Sequence, residues 1–281
     1  MGRQEALKQF GDKITLPSLP DVVMRINSMI DNPNVGLQEM GALVAKDPAI
    51  TARVLRLANS GYYGLSQQVT NAEQAATVIG ARALRNVAMQ VSILQRYEHL
   101  KNIPDFDLDE VWQHSTLTAQ LAQALAESCF RRTGLAPDDF YACGLLHDVG
   151  KVVMLEGLGD EYLECVRHAR RTGVALHVGE EQVLGYTHVE VGAILAQQWQ
   201  LPEKVAAAIE FHHGPTAEIV AHPHVGVIAI ADQIAYRASS STFEAALEKL
   251  AALANKLLGV TREEFDKVVE RARTAQPDAF A

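Results

Sequence analysis

The sequence predicts an all-α protein, in which an N-terminal helical bundle packs on a second helical subdomain without a β-sheet. Apolar residues recur at helical spacing along almost the whole chain, and no window alternates apolar and polar residues as a half-buried strand does. Hydrophobic residues make up 48% of the chain and aromatic residues only 6%, which is typical of helices packed through aliphatic side chains. Turn residues separate these periodic segments and indicate where helices begin and end.

In the first third of the chain, helical segments alternate with short turn signals. Asn32-Pro33-Asn34 ends the first helix, and Thr70-Asn71-Ala72-Glu73 has the capping-box pattern that precedes a helix. Gly80 interrupts the segment that follows. These signals predict a bundle of about five helices. The expected helices span residues 21–30, 37–46, 49–60, 75–79 and 82–94.

A polar linker around Pro104 is the best candidate for a boundary between subdomains, and a Ser-rich stretch at 239–242 is a second one. They divide the chain into an N-terminal bundle at 1–101, a helical subdomain at 102–238 and a C-terminal helical extension at 239–281. After the linker, helices are expected over residues 110–130, 137–148, 161–172, 188–199, 202–213, 225–237, 243–258 and 262–275. The helix that begins at Pro137 should carry His147 and Asp148 near its end, with Gly150 just past it.

Composition limits the compartment and the classes of partner. The net charge of −9 is uneven: residues 1–100 carry 10 Lys/Arg and 8 Asp/Glu, a balance of +2, and residues 101–281 carry 15 and 26, a balance of −11. Because neutralisation of phosphates dominates nucleic-acid affinity, so acidic a chain is not expected to bind nucleic acid generally. The N-terminus lacks the apolar core of a signal peptide, and no apolar run approaches the roughly 20 residues of a membrane helix. With three Cys residues and no CxxC pair, we expect reduced thiols in a cytoplasmic protein that does not enter a membrane.

Histidines and carboxylates stand where a metal site would use them. His147 and Asp148 lie side by side at a predicted helix end, and Asp232 interrupts a strongly apolar helix, where an unpaired carboxylate would cost several kcal/mol. Imidazole and carboxylate groups hold catalytic first-row metals and leave a position open for water. The predicted metal ligands are Glu110, His114, His147, Asp148, His188, His212, His213 and Asp232.

Each of these residues also has an ordinary structural interpretation. A lone His114 on a helix is more often a packed or surface histidine, and Glu110 could be plain first-turn charge. His212 and His213 could bond the last carbonyls of their helix, and Asp232 could accept hydrogen bonds from a neighbouring helix. Their joint presence favours a metal site. The histidines without such a context are predicted to lie on the surface, namely His99, His168, His177, His222 and His224.

Several motifs carry a resemblance to a known family. They are LPSLP at 16–20, DPAITARVLRLANSGYYG at 47–64, GLLHDVGK at 144–151, HVEVG at 188–192 and WQLP at 199–202. In these motifs the chain resembles the HDOD domain, the HD-related output domain of bacterial signalling proteins, over roughly residues 16–235. The resemblance implies an all-helical regulatory module distantly related to HD phosphohydrolases, in a family where many members have lost the metal ligands.

The resemblance also implies roles for individual residues. His114, His147, Asp148 and Asp232 match the mononuclear HD set. The residues that match further positions of the cyclic-dinucleotide phosphodiesterases called HD-GYP are Glu110, Lys151, His188, His212 and His213. The chain departs from HD-GYP after the double histidine, where Gly214-Pro215-Thr216 follows and neither His-His-Glu nor Gly-Tyr-Pro occurs. Hydrolysis of cyclic-di-GMP is therefore not expected, whereas metal binding remains open.

Two functions are compatible with these observations. The first is a signalling module that binds a signalling protein partner or a small nucleotide ligand, with one or two divalent ions, iron or manganese, as a structural or sensory element. The second is a metal-dependent phosphohydrolase acting on a nucleotide or other phosphoester, with Lys151 and His188 as catalytic residues. The regulatory role that the resemblance implies and the absence of a Gly-Tyr-Pro motif favour the signalling module. A helix-turn-helix at 75–91, with Arg82 and Arg85 on phosphates, is a weaker idea that the acidic charge opposes.

The N-terminal bundle carries a predicted recognition surface. Its members are Arg53, Arg56, Asn59, Tyr62 and Tyr63, which gather cationic and aromatic groups near one helix end. Arginine and tyrosine often anchor protein interfaces. The alternative is that both arginines pair with acidic groups of the second subdomain and both tyrosines pack the turn.

Overall fold

The computed structural model describes residues 16–60, 63–214, 216–238 and 243–274, together with Lys8 and Gly11. Across these residues the regular structure is helical and contains no strand, which confirms the predicted all-α class. The chain divides into two units. One is Ser18–His99, and the other comprises the described parts of Met1–Pro17 and Leu100–Ala281. No described helix is both long enough and apolar enough to cross a bilayer.

The unit Ser18–His99 is a bundle whose helices begin within three residues of the expected starts. The Oδ1 atom of Asp47 accepts hydrogen bonds from the backbone N of Ala49 at 2.8 Å and of Ile50 at 3.0 Å, which starts the third helix. At Gly80 the backbone has φ 81°, so the two helices expected on either side join across a kink. The helices are α1 (Asp21–Ile30), α2 (Leu37–Val44), α3 (Pro48–Ala58) and α4 (Ala72–Arg96).

The second unit is built on one long helix that packs against several others. Its described helices are α5 (Leu108–Thr133), α6 (Pro137–Leu146), α7 (Val149–Leu158), α8 (Asp160–Thr172), α9 (Leu176–Leu184), α10 (His188–Gln198), α11 (Glu203–Phe211), α12 (Thr216–Ala221), α13 (Pro223–Arg237), α14 (Phe243–Leu258) and α15 (Arg262–Thr274). Helix α5 contacts both α6 and α13 closely. A Cβ atom at Gly144 would lie 2.5 Å from the Cα of Ala119, so α6 lies almost backbone to backbone on α5.

One expected helix end is wrong. Helix α6 ends at Leu146 and α7 begins at Val149, so Gly150 lies inside a helix and not just past one. The physical reason is packing, because a Cβ atom at Gly150 would lie 2.0 Å from the backbone oxygen of His188 on α10. Helix α7 is apolar on nearly all sides and has no polar face that would reveal its period. Helices α9 and α12 were also not predicted.

Candidate metal centre

Asp148 lies at the centre of the site, in the short junction between α6 and α7, and its side chain is only 1% exposed. The Oδ2 atom faces the Nε2 atoms of His147 at 3.3 Å and His114 at 3.5 Å. The Oδ1 atom faces the Nε2 atoms of His188 at 3.2 Å and His212 at 3.6 Å. The two oxygens of one carboxylate therefore address two separate groups of histidines.

The first group, here called the His114 cluster, consists of His114, His147, Asp148 and Asp232. The Oδ1 atom of Asp232 lies 3.0 Å from the Nε2 of His114 and 3.7 Å from the Nε2 of His147. Helix α13 carries Asp232 into the interior, where the residue is 4% exposed. His114 is the partly exposed member of this cluster, so solvent approaches the cluster from the α5 side.

The second group, here called the His188 cluster, consists of Asp148, His188, His212 and His213. One ligand atom from each of these four residues lies within 4.8 Å of the others. His188 is the first residue of α10, and the two adjacent histidines follow the end of α11. His188 and His212 are buried, whereas His213 is half-buried. Asp148 thus belongs to both clusters and joins them.

The hydrogen bonds of three rings fix which nitrogen faces the clusters. The Nδ1 atoms of His147 and His212 lie 2.7 Å and 2.8 Å from the backbone oxygen three residues earlier. The Nδ1 atom of His188 lies 2.7 Å from the Oε2 of Glu180. Carbonyl and carboxylate oxygens only accept, so each Nδ1 carries a proton. In its neutral form each ring then presents the lone pair of Nε2 to Asp148.

These inward atoms have no hydrogen-bond partner among the described residues. The buried Nε2 atoms of His147, His188 and His212 and the buried Oδ1 of Asp148 are all in this state. A buried polar group without a partner costs about 1–3 kcal/mol. Lone pairs of nitrogen and of a carboxylate that converge on one point without a donor suit a cation. The residues present therefore fit a divalent first-row metal with nitrogen and oxygen ligands.

Protons cannot satisfy the whole site near neutral pH. Burial lowers the pKa of His212 to about 4, although Asp148 raises it, so this ring is neutral. Burial and the neighbouring His212 also lower the pKa of His213. For His147 the lowering by burial is outweighed by Asp148 and Asp232, which raise the pKa to about 10. A proton on His147 is therefore the alternative to a cation in the His114 cluster.

Lys151 completes the charge balance around the central carboxylate. Lys151 lies in the first turn of α7, and its Nζ donates to the Oδ2 of Asp148 at 2.5 Å. Burial raises the pKa of Asp148, but His147 and Lys151 lower it by a larger amount. The pKa therefore lies well below its ordinary value. The pKa of Asp232 is also well below its ordinary value: burial raises it, but the neighbouring His114 and His147 lower it by more. Both carboxylates are ionised.

Glu180 was not predicted from the sequence, yet it contacts a cluster residue directly. It lies on α9 with no exposed surface. The Oε2 atom accepts from both the backbone N of His188 at 2.9 Å and its Nδ1 at 2.7 Å, and the Oε1 atom accepts from the hydroxyl of Tyr162 at 2.9 Å. The neighbouring Glu181 is exposed, so residue type alone does not distinguish a buried carboxylate here from a solvated one.

Glu110 belongs to neither cluster. It is exposed in the first turn of α5, where its backbone N donates to the Oδ1 of Asp107 at 3.1 Å. The expectation of a surface position is wrong for His224, which is buried in α13. His99 is exposed, whereas His168, His177 and His222 are half-buried. The ring of His177 stacks on that of His213 with centroids 4.3 Å apart, so His177 borders the His188 cluster.

The predicted recognition surface of the N-terminal unit is only partly described. Tyr62 lies outside the described residues. Arg53 and Tyr63 are half-buried and Arg56 is exposed. Asn59 has a local structural role, because its side chain exchanges two hydrogen bonds of 2.8 Å with the backbone of Val69. The recognition role of this surface stays a prediction.

The fold and the two clusters define an all-helical protein with a buried group of histidines and aspartates. The sequence matches the HDOD domain over residues 16–215. The chain belongs to the HDOD family. An uncharacterized protein of Treponema pallidum (strain Nichols) is 30% identical over 221 residues, which cover 77% of this chain and 41% of that protein. The chain thus spans less than half the length of that curated relative.

Solved structures show the same architecture. An HDOD domain protein of unknown function from Geobacter sulfurreducens has a TM-score of 0.79 at 27% identity, with 99% of this chain and 98% of that chain covered. A candidate phosphohydrolase from Shewanella amazonensis SB2B has a TM-score of 0.73 at 24% identity, with 98% and 95% covered. A candidate signal transduction protein from Marinobacter aquaeolei VT8 has a TM-score of 0.74 at 23% identity, with 96% and 63% covered. The last two are similar to this chain in fold.

Proposed function

We propose that this protein is a signal-transduction module of the HDOD family that retains a metal centre for one or two divalent ions. One observation carries the proposal. The carboxylate of Asp148 stands between two sets of imidazoles, and buried Nε2 atoms of both sets lack a partner among the described residues. Each such buried group costs about 1–3 kcal/mol without a partner, and a bound cation would remove that cost.

In this proposal the residues of each cluster would hold one ion, and Asp148 belongs to both clusters. The donors are imidazoles and carboxylates without a thiolate, which suit a first-row divalent ion, and iron or manganese is the ion that we propose. As a signalling module, the protein would take its input from a signalling protein or a small nucleotide. Charge reversal at the exposed Arg56 tests whether the N-terminal unit captures the partner.

The first experiment counts metal. Protein purified without chelator is analysed for metal content, and protein stripped with chelator is titrated with Mn²⁺. We expect bound metal in the first and saturable binding in the second. Asp148→Asn should reduce binding to both clusters, whereas replacement of the exposed His99 by Gln should leave binding unchanged. A wild-type protein that binds no more metal than Asp148→Asn would contradict the proposal.

A metal-dependent phosphohydrolase is the second candidate, and the partial exposure of the centre favours it. His114 and His213 both reach solvent, so a phosphate oxygen could approach either cluster. A first-row ion held there would polarise such an oxygen and lower the pKa of water. Lys151 could contact the phosphate with its ammonium group. His188 is better suited to ligation than to proton transfer, since Glu180 already binds its Nδ1.

The phosphohydrolase is tested with the Mn²⁺-loaded protein on a panel of nucleotides and phosphoesters. Turnover that disappears in Asp148→Asn and in His147→Asn would support an enzyme. Metal binding without turnover by the wild-type protein would leave the signalling module as the function.

A further inference from the structure

The imidazoles of the centre are not oriented in the same way. The Nδ1 atoms of His147 and His212 donate to carbonyls of the helix that precedes each residue, so helix geometry itself supplies the acceptor. His188 is the first residue of α10, and the residue three positions earlier lies outside that helix. His188 therefore depends on an acceptor from elsewhere in the fold, and Glu180 of α9 supplies it.

We propose that Glu180 is a positioning residue that fixes the ring direction and the tautomer of the metal ligand His188. This inference rests on the proposed metal centre. One oxygen of Glu180 binds both the backbone N and the Nδ1 of His188, so the carboxylate holds the main chain and the ring of the same residue. A carboxylate on the outer nitrogen of a ligating histidine also strengthens the donor at the inner nitrogen.

Helix capping accounts for only one of the three hydrogen bonds of Glu180, the one from the backbone N of His188. The N-terminus of α10 also has a capping box. In it the Oε2 of Glu190 accepts from the backbone N of Thr187, and the Oγ1 of Thr187 accepts from the backbone N of Val189. The remaining oxygen of Glu180 accepts from the hydroxyl of Tyr162, a fully buried residue of α8. Tyr162 thus locks the carboxylate in the direction of His188. The result is a chain of hydrogen bonds from α8 through α9 to the His188 cluster.

The burial of Glu180 agrees with this geometry. Its side chain has no exposed surface. A buried carboxylate with no function would cost several kcal/mol in desolvation. Its two oxygens instead accept three hydrogen bonds, two of them from one residue of the proposed centre.

Glu180→Gln tests the proposal, because Gln keeps the volume and removes the charge. The stripped protein is titrated with Mn²⁺ while the free ion is followed by its electron paramagnetic resonance signal. The ion of the His188 cluster is identified as the one lost in His213→Asn. We expect Glu180→Gln to lower the affinity for this ion by about 10–100-fold. The affinity for the ion of the His114 cluster should change by less than about 2-fold.

A double-mutant cycle separates positioning from general destabilisation. Glu180→Gln combined with His188→Asn should bind the ion no more weakly than His188→Asn alone, because Glu180 acts through that ring. Leu163→Ala, a buried apolar change on α8, is the matched control. It should lower the melting temperature of the stripped protein without lowering the affinity for Mn²⁺ at either cluster. If Glu180→Gln does not fold, Tyr162→Phe replaces it, with an expected selective loss of about 3-fold for the His188 cluster ion.

The outcomes are distinguishable. Wild-type protein that binds no ion overturns the metal centre and the role of Glu180 with it. Tight wild-type binding that is unchanged in Glu180→Gln overturns the positioning role alone. An equal loss at both clusters, or a similar loss in Leu163→Ala, shows a merely structural carboxylate and also overturns the role. The positioning role is supported if Glu180→Gln weakens binding only at the His188 cluster and causes no further weakening when His188→Asn is already present.

Discussion

The Nζ of Lys151 lies 2.5 Å from the Oδ2 of Asp148, the same oxygen that faces His114 and His147. This ammonium is a resident cation beside a carboxylate that burial would otherwise neutralise. Its own pKa is lowered by burial but raised more strongly by Asp148, so Lys151 stays charged. The relationship explains how the protein could keep an ionised Asp148 in the interior before any metal binds.

Lys151→Met should therefore destabilise the stripped protein more than the metal-loaded protein. Removing one partner of a buried ion pair costs roughly 3–5 kcal/mol, and a bound divalent ion would offset much of this. Urea unfolding with chelator and with Mn²⁺ measures both losses. Lys267→Met, which removes an exposed pair with Glu263, is the control and should leave stability nearly unchanged in both conditions. Equal losses for Lys151→Met in both conditions would contradict the argument.

Two helical glycines offer a matched test of how α7 and α10 hold the centre. A Cβ atom at Gly150 would lie 2.0 Å from the backbone oxygen of His188, whereas at Gly226 in α13 the nearest atom is 3.6 Å away. Gly150→Ala must push α10 away and should cost about 1–3 kcal/mol or more. Gly226→Ala removes a flexible residue from a helix and should be neutral or stabilising by up to about 1 kcal/mol. Thermal unfolding of the two variants provides the comparison.

The same substitution should also weaken the metal centre. Because His188 is the residue that a methyl group at position 150 would displace, Gly150→Ala is expected to reduce Mn²⁺ affinity at the His188 cluster. Gly226→Ala should retain wild-type affinity. Unchanged affinity in a folded Gly150→Ala protein would show that the position of α10 does not control the site.

Hydrolysis of cyclic-di-GMP is expected to be absent or very slow. After the double histidine the chain continues with Gly214 and lacks the Gly-Tyr-Pro segment. The two clusters by themselves would supply metal but not the segment that HD-GYP enzymes add after the doublet. Chromatography of cyclic-di-GMP incubated with Mn²⁺-loaded protein measures the product. Turnover that disappears in His147→Ala and Asp148→Ala would show that this expectation is wrong.

The sequence predicted the helical class and most helices well, because caps and apolar periodicity are local signals. The third helix, for example, begins at Pro48, one residue before its expected start, and Asn71 caps the fourth helix within the Thr70–Glu73 pattern. It did not predict the helical position of Gly150, since the almost uniformly apolar α7 has no polar face to show its period. Glu180 was missed because its burial depends on how α9 packs beside α8 and α10, which no local pattern records.

His224 is a second residue whose environment the sequence did not reveal, and it leads to a pH prediction. Its Nε2 is buried without a hydrogen-bond partner among the described residues. Burial lowers the pKa of His224 to about 4, and the neighbouring His222 and Lys204 lower it further by charge repulsion. The folded protein therefore keeps this ring neutral, whereas the unfolded chain binds a proton near the ordinary pKa of about 6.5.

It follows that stability falls as the pH drops from about 6.5 towards 4, because the unfolded state binds the extra proton over that interval. His224→Leu removes this proton uptake, so the variant should lose less stability on acidification than the wild type, by roughly 1–2 kcal/mol. Urea unfolding of stripped protein at pH 7 and at pH 4.5 gives the difference, in which the other histidines cancel. His99→Gln, at an exposed position, should retain the wild-type pH dependence. If His224→Leu also retained it, protonation of His224 would not contribute to acid unfolding.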